Sequence, residues 1–321
     1  MLYALDIVLA VIIDWIVGDP YGFPHPVIYI GKLISYLHKK GKSLCKSNKG
    51  LKAFGGLIVL IVSATSFLIP FLLLYFTRNM ILIHHILNIF ILWTTIACKC
   101  LKNEAKKVYY ELEKNDLKEA RVKLSYIVGR ETSELKEEEV VRADVETVAE
   151  NSADGVIAPI FYAMVFGPYG AAFAMMYKGI NTMDSMLGYL TEKYKYIGFF
   201  PAKVDDVFNF IPARITGVLI ALCAPIVKGN ILYSLKIMYR DRKNHKSPNC
   251  AYPEGAAAGA MRVQLGGTNT YFGEVIYKPT IGDKIRELSK DNIVECIKLM
   301  YASEALLVLI YLLVVFIWRC R

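Results

Sequence analysis

What this chain lacks narrows its class before any motif is weighed. Its seven cysteines, at 45, 98, 100, 223, 250, 296 and 320, show no metal-ligand spacing and no even framework. Several lie in or beside apolar segments, so they read as buried or reduced thiols. The first apolar segment, Leu2 to Val17, has neither a basic leader nor a small-residue cleavage site and carries Asp6 and Asp14. It is expected to stay as a membrane helix. There is no internal repeat and no low-complexity linker, which favours one domain over residues 1–321. No base-stacking or phosphate-tracking pattern accompanies the basic residues, so nucleic acid is not an expected partner.

What is present is apolar surface in blocks. The 321 residues are 55% hydrophobic, with mean hydropathy +0.37. Leu57 to Phe76 and Met80 to Cys98 each approach the roughly 20 apolar residues that span a bilayer. Segments 1–17, 156–176, 211–227 and 300–318 are the remaining candidates. The pattern predicts an all-α, polytopic integral membrane protein of the plasma membrane, with lipid as its first partner. The net charge of +9 follows topology. Lys32, Lys39, Lys40, Lys42, Lys46, Lys49 and Lys52 form one basic loop, and Lys99, Lys102, Lys106 and Lys107 begin another. Positive flanks place both in the cytoplasm and the Thr77-Arg78-Asn79 tip outside.

Two stretches are too polar to span. Residues 99–155 predict a cytoplasmic helical subdomain, in which Asn115-Asp116 ends one helix and caps the next. A third helix carries Val140, Val141, Val145, Val148 and Ala149 on one side. Residues 228–298 read as a large polar loop, also cytoplasmic.

Chemistry-bearing residues cluster at the borders of these stretches. On a continuous helix Glu146, Glu150 and Asp154 stand at i, i+4 and i+8, a column of carboxylates. Such oxygens suit magnesium; the plain alternative is a solvated face with Glu146 paired to Arg142. Lys178, Asn181, Asp184 and Ser185 share a helical face among apolar residues, where burying ionisable groups is costly. Asp205, Asp206 and Asn209 precede Arg214, either as a site or as an Asp206–Arg214 ion pair. Arg240-Asp241-Arg242-Lys243-Asn244-His245 is dense in phosphate donors, or simply a positive-inside loop. Beyond it come Glu254 with an Ala/Gly run, then Gly266-Gly267-Thr268-Asn269. Small residues there would let backbone N–H groups approach an anion. No Gly-Lys-Ser/Thr closes that stretch, so it is not a Walker A loop. His25, between Pro24 and Pro26, is presented on a stiff backbone, and Asp14 is either part of the site or a helix-end acid. If these clusters form one site, 156–176 must re-enter rather than cross, although hydropathy alone favours a crossing.

In this order the blocks resemble the CobD/CbiB family of cobalamin biosynthesis, adenosylcobinamide-phosphate synthase. The resemblance rests on Gly18-Asp19-Pro20, Pro24-His25-Pro26-Val27, Ile127-Val128-Gly129-Arg130 and Val145-Glu146-Thr147-Val148-Ala149-Glu150-Asn151. It continues through Asp154-Gly155, Asn181-Thr182-Met183-Asp184-Ser185-Met186, Asp205-Asp206-Val207, Ile211-Pro212-Ala213-Arg214, Arg240-Asp241, His245, Ser247-Pro248-Asn249, Pro253-Glu254 and Leu265-Gly266-Gly267. It departs at Glu131, Lys203, Tyr252 and Gly255.

The resemblance implies an ATP-dependent ligation joining a carboxylate of adenosylcobyric acid to (R)-1-amino-2-propanol or its O-phosphate. Other enzymes of the corrinoid pathway are possible partners. Residue type, not the resemblance, sets the expected roles. Magnesium goes to Glu146, Glu150 and Asp154, with Asp205 and Asp206 competing. ATP phosphates go to Arg130, Arg214 and Arg240 with Gly266, Gly267 and Asn269, His245 being a further candidate. Proton transfer goes to Glu150, Asp154, Asp184 or His245, and substrate contact to His25, Asn151, Lys178, Asn181 and Glu254. Two rivals remain: a membrane prenyltransferase binding Mg-diphosphate through its Asn/Asp clusters, and a non-catalytic membrane sensor or scaffold.

Overall fold

The computed structural model describes residues 2–20, 22–189, 191, 194–271 and 274–320, without side-chain placement at 269–271, 274–276 and 278. Four helices come first: α1 (Leu2–Ile16), α2 (Pro26–Leu44), α3 (Asn48–Thr77) and α4 (Ile81–Trp93). Next are α5 (Cys98–Glu113), α6 (Leu117–Ser125), α7 (Glu137–Asn151), α8 (Ala158–Val165), α9 (Gly170–Leu187) and α10 (Phe199–Phe208). Then follow α11 (Phe210–Leu222), α12 (Ile231–Asp241), α13 (Ala251–Met261), an antiparallel hairpin of β1 (Leu265–Tyr271) and β2 (Glu274–Ile281), and α14 (Asp291–Arg319).

This is an all-α membrane protein with one small hairpin. Among the described residues, three helical stretches are long and apolar enough to cross a membrane: Asn48–Thr77, Ile81–Glu113, which includes the turn between α4 and α5, and Asp291–Arg319. The other apolar segments form shorter pieces. α1 has 15 residues and α11 has 13. The 156–176 stretch is not one helix. It passes through the end of a π-helical turn (Ser152–Ile157), α8, a 3-10 turn at Gly167–Tyr169 and the start of α9. Gly167, at φ +54, and Pro168 break it, since proline cannot continue a helical hydrogen-bond ladder.

The chain divides into two compact units. One comprises Met1–Ala97, Ala158–Asn209 and Tyr311–Arg321. Its core joins α2, α3 and α9 through Ile34, Leu37, Ile58, Val62, Ile180, Met183 and Leu187. α3 and α9 meet closely at Gly179, where a Cβ would lie 2.5 Å from the Ser66 hydroxyl. Small residues at a crossing let two apolar helices pack by backbone approach.

The other unit comprises Cys98–Ile157 and Phe210–Ile310. Its first three helices follow the predicted order. Asp116 caps α6 by accepting the Glu119 N–H at 2.9 Å, and the predicted valine face of α7 is buried. The 228–298 stretch, however, folds into α12, α13, the hairpin and the start of α14 rather than an open loop. The Ala/Gly run is helix α13, buried on all sides. A Cβ on Gly259 would fall 2.7 Å from Ser234 Cα of α12, so that glycine serves helix packing and not anion approach.

Candidate functional site

Within the second unit the carboxylate column is broken by geometry. α7 ends at Asn151, and the π-helical turn carrying Asp154 has a wider pitch, so Asp154 leaves the i+4 row. Glu146 and Glu150 have different partners. Buried Glu146 accepts the Gly266 N–H at 2.8 Å on Oε1 and a hydrogen bond from Arg130 on Oε2, with Arg142 Nε 3.9 Å away. Arg130 is therefore engaged by a carboxylate. Arg142 also donates to the Thr268 carbonyl at 2.9 Å, holding the bulged start of β1 against α7.

Glu150 faces a different neighbour. The Cys250 thiol donates to Glu150 Oε1 at 3.0 Å. Burial pushes that thiol well up, reinforced by the charges of Glu150, Glu254 and Asp154. Glu150 thus contacts this buried thiol, and the charges of Glu254 and Asp154 reach it. Their oxygens do not close into a preformed group within 4.8 Å, among the described residues. Asn151 donates to the Thr147 carbonyl at 2.9 Å.

The basic residues of this unit divide by what holds them. Arg240 forks onto Asp241 at 2.7 and 2.8 Å and reaches Asp283 at 2.9 Å. Asp241 also accepts the Gly282 N–H at 2.8 Å. Arg240 thus ties α12 to the end of β2. Tyr233 donates to Asp283 at 2.7 Å, and this bond, ahead of Arg240, holds that carboxyl below its ordinary value. Arg214 lies 3.5 Å from the Phe210 ring centre and 4.2 Å from that of Tyr252, and donates to Asn249 at 3.2 Å. His245 accepts the Ser247 N–H at 3.0 Å. Gly266 and Gly267 adopt φ +78 and +87 at the bulge. Asn269 is on β1, its side chain outside the described residues.

The first unit brings the remaining residues together in two groups. His25 caps α2, its Nδ1 accepting the Val27 N–H at 3.3 Å while Nε2 stands 3.6 Å from Asp19. Burial lowers its pKa, opposed by Asp19 and assisted by the Lys178 charge. In the other group Asp205 is buried and accepts from Asn181 at 3.3 Å and Asn209 at 3.0 Å. Tyr177 donates to Asn209 at 2.7 Å. Asp206 pairs with Lys203 at 3.2 Å. Asp184 is half-buried on α9.

Sequence reading missed Cys250 and Asp283, and gave Asn249 no role beyond its place in the Ser247-Pro248-Asn249 block. A lone cysteine and scattered polar residues give no spacing signal, although Cys250 does lie one helical turn before Glu254.

The CobD/Cbib protein family matches residues 7–300. The chain belongs to the CobD/CbiB family. It is 65% identical over 317 residues to the cobalamin biosynthesis protein CobD of Clostridium tetani, covering 99% of each chain. It is 62% identical to the protein of that name from Clostridium acetobutylicum, covering 97% of this chain and 98% of the relative. The cobalamin biosynthesis protein CbiB of Salmonella typhimurium is 42% identical, with 93% of both chains covered. No solved structure matches. The family match takes in residues of both units, so both groups of candidate residues belong to the family region.

Proposed function

We propose that this chain is an enzyme of cobalamin biosynthesis that catalyses ATP-dependent amide ligation. In this reading it joins adenosylcobyric acid to (R)-1-amino-2-propanol or its O-phosphate, at the cytoplasmic face of the plasma membrane. The names of its relatives support the pathway. The observation that carries the reaction class is Glu150 set against the buried Cys250, within reach of the charges of Asp154 and Glu254. Carboxylate oxygens are hard ligands of the kind magnesium takes. Their open spacing suits an ion that keeps several waters.

A carboxylate is a poor acyl donor, so magnesium and ATP would supply activation of the corrinoid acid. We assign the ion to Glu150 and Asp154, with Glu254 beside them. Glu146, held by Arg130 and Gly266, is assigned to anchoring β1. Arg214, fixed by Asn249 and two rings, is the cation best placed to keep a fixed direction toward a charged substrate. The incoming amine must lose a proton, and His245, Asp184 or one of the acids would accept it. His25, Asn151, Lys178 and Asn181 remain our candidates for substrate contact. The prenyltransferase alternative fits less well. Asp205, which would have to present oxygens to Mg-diphosphate, is buried and already accepts an amide hydrogen bond on each oxygen.

Purified protein in detergent, given adenosylcobyric acid, aminopropanol phosphate or free aminopropanol, and Mg-ATP, should yield the amide by mass spectrometry. A folded Glu150→Gln variant should not. Absence of product with either amine from well-folded protein would sink the ligase.

A further inference from the structure

The first unit carries a basic face that the residues considered above leave without a role. Between Asp19 and Glu104 the chain has no carboxylate. Within that span Lys39, Lys40, Lys42, Lys46, Lys49 and Lys52 fall at the end of α2, in the turn after it and at the start of α3. The first five are exposed and Lys52 is half-buried. We propose that this face binds the phosphate headgroups of anionic phospholipid in the cytoplasmic leaflet. The proposal stands apart from the ligase reading. It goes beyond membrane insertion, because it assigns a lipid class and the residues that select it.

Three features favour that occupant. The first is that the protein itself does not neutralise these amines. In this unit Asp6 and Asp19 meet histidines, Asp206 meets Lys203, and Asp205 is buried among amides. Glu192, between α9 and α10, lies outside the described residues. Among the described residues no carboxylate pairs with any of the six lysines. Lysines of the second unit behave otherwise: Lys107, Lys114 and Lys123 pair with Glu104, Glu111 and Glu119 at 2.6, 2.9 and 2.5 Å. The second feature is what the amines lie against instead. Lys40 stands 5.7 Å from the Tyr36 ring centre, Lys42 5.9 Å from that of Tyr194, and Lys52 3.5 Å from that of Phe199. Tyr36 is 58% exposed, and Phe199 and Phe200 are 38% exposed. Exposed rings beside long cationic side chains suit a membrane–water boundary. The ring sits at headgroup level, and the lysine stem follows apolar surface while its amine reaches phosphate.

The third feature is position. α3 is long and apolar enough to cross a membrane, and its apolar run begins at Leu57, just beyond Lys52. Lysine clusters at the cytoplasmic end of a spanning helix attract anionic headgroups. Close packing holds the parts of the face together. A Cβ on Gly41 of α2 would lie 2.5 Å from Phe54 of α3, and one on Gly56 would lie 3.4 Å from Phe200 of α10. Headgroups therefore meet cations presented on a packed surface. α2 also has His25 as its N-cap, so fixing its last turn at the headgroups fixes the helix that presents that histidine.

The test uses the full chain, delipidated in dodecyl maltoside and supplied with phosphatidylglycerol or phosphatidylcholine at equal mole fraction. Phosphatidylglycerol should raise the wild-type unfolding temperature saturably, phosphatidylcholine should not, and salt should shrink the difference. Lys46→Gln/Lys49→Gln/Lys52→Gln should need about tenfold more phosphatidylglycerol for the half-maximal shift. Lys46→Arg/Lys49→Arg/Lys52→Arg, which keeps the charges, should respond as wild type does. Equal shifts with the two lipids, a wild-type response from the Gln variant, or the same shift from soluble glycerol phosphate would overturn the proposal. An Arg variant as weak as the Gln variant would overturn it too, since charge would not be what is read. Should the Gln variant fail to fold, a photoactivatable phosphatidylglycerol crosslinked to wild type decides. Adducts concentrated in peptides spanning 36–56 and 194–203 support the face, and adducts elsewhere reject it. None of these readouts needs turnover, so the amide-formation assay tests the ligase reading separately.

Discussion

Glu146 accepts the backbone N–H of Gly266, 120 residues away, at 2.8 Å. The same carboxylate holds Arg130. One buried side chain therefore joins the 127–132 turn, α7 and the first residues of the hairpin. The arrangement makes Glu146 an anchor, and the positions around it follow.

Removing that anchor should be felt first in stability. Breaking a buried pair by deleting one partner costs about 3–5 kcal/mol, because the other charge is left uncompensated. Glu146→Ala should lower the unfolding temperature in detergent strongly, while Glu150→Gln should leave it nearly unchanged and abolish product. Equal stability of the two variants would contradict the separation of roles.

Cys250 should be chemically silent. Only the thiolate reacts, and burial together with three nearby carboxylates keeps this thiol protonated. Folded protein treated with maleimide at pH 8 should be labelled at exposed Cys320 and not at Cys250 until denatured. Cys250→Ser, which retains a donor to Glu150, should keep activity within a few-fold. Rapid labelling of Cys250 in folded protein would contradict its burial against Glu150.

Acid should loosen the end of the hairpin. Asp283 has a depressed folded pKa, through Tyr233 first and Arg240 after it. Below an unfolded value of about 3.9 the unfolded chain binds more protons than the folded one. The anchor's stabilisation is therefore complete above that value and is lost as pH falls through the folded one. Unfolding temperatures measured from pH 7 to 3 should fall more steeply for wild type than for Asp283→Asn at the acid end. Parallel curves would show that this anchor does not contribute.

The amide clamp on Asp205 should be structural. Tyr177→Phe removes one buried hydrogen bond and should cost about 1–3 kcal/mol by leaving Asn209 Oδ1 unsatisfied. Asp205→Ala should cost more, since it strands the amides of both Asn181 and Asn209. Thermal unfolding tests both, and an Asp205→Ala protein as stable as wild type but inactive would instead make Asp205 a ligand.

Much of the helical framework was legible from local pattern. The Asn115-Asp116 break, the cap on α6 and the buried valines of α7 follow from capping and periodicity. α13 was not legible, because an Ala/Gly helix buried all round has no polar face and hence no period. Asp154 stood in a column only on a continuous α-helix, and the π-helical turn that displaces it has no sequence signature of its own.

The sequence by itself determined the membrane class, the family and the chemical types available: hard carboxylates, guanidinium groups and glycines. These depend on composition and short-range order. The tertiary structure decided which carboxylate is neutralised and which is left beside a thiol, and which lysines lie against rings. Those outcomes depend on where Gly266, Cys250 and Phe199 arrive after long stretches of chain, and local periodicity carries no information about such meetings.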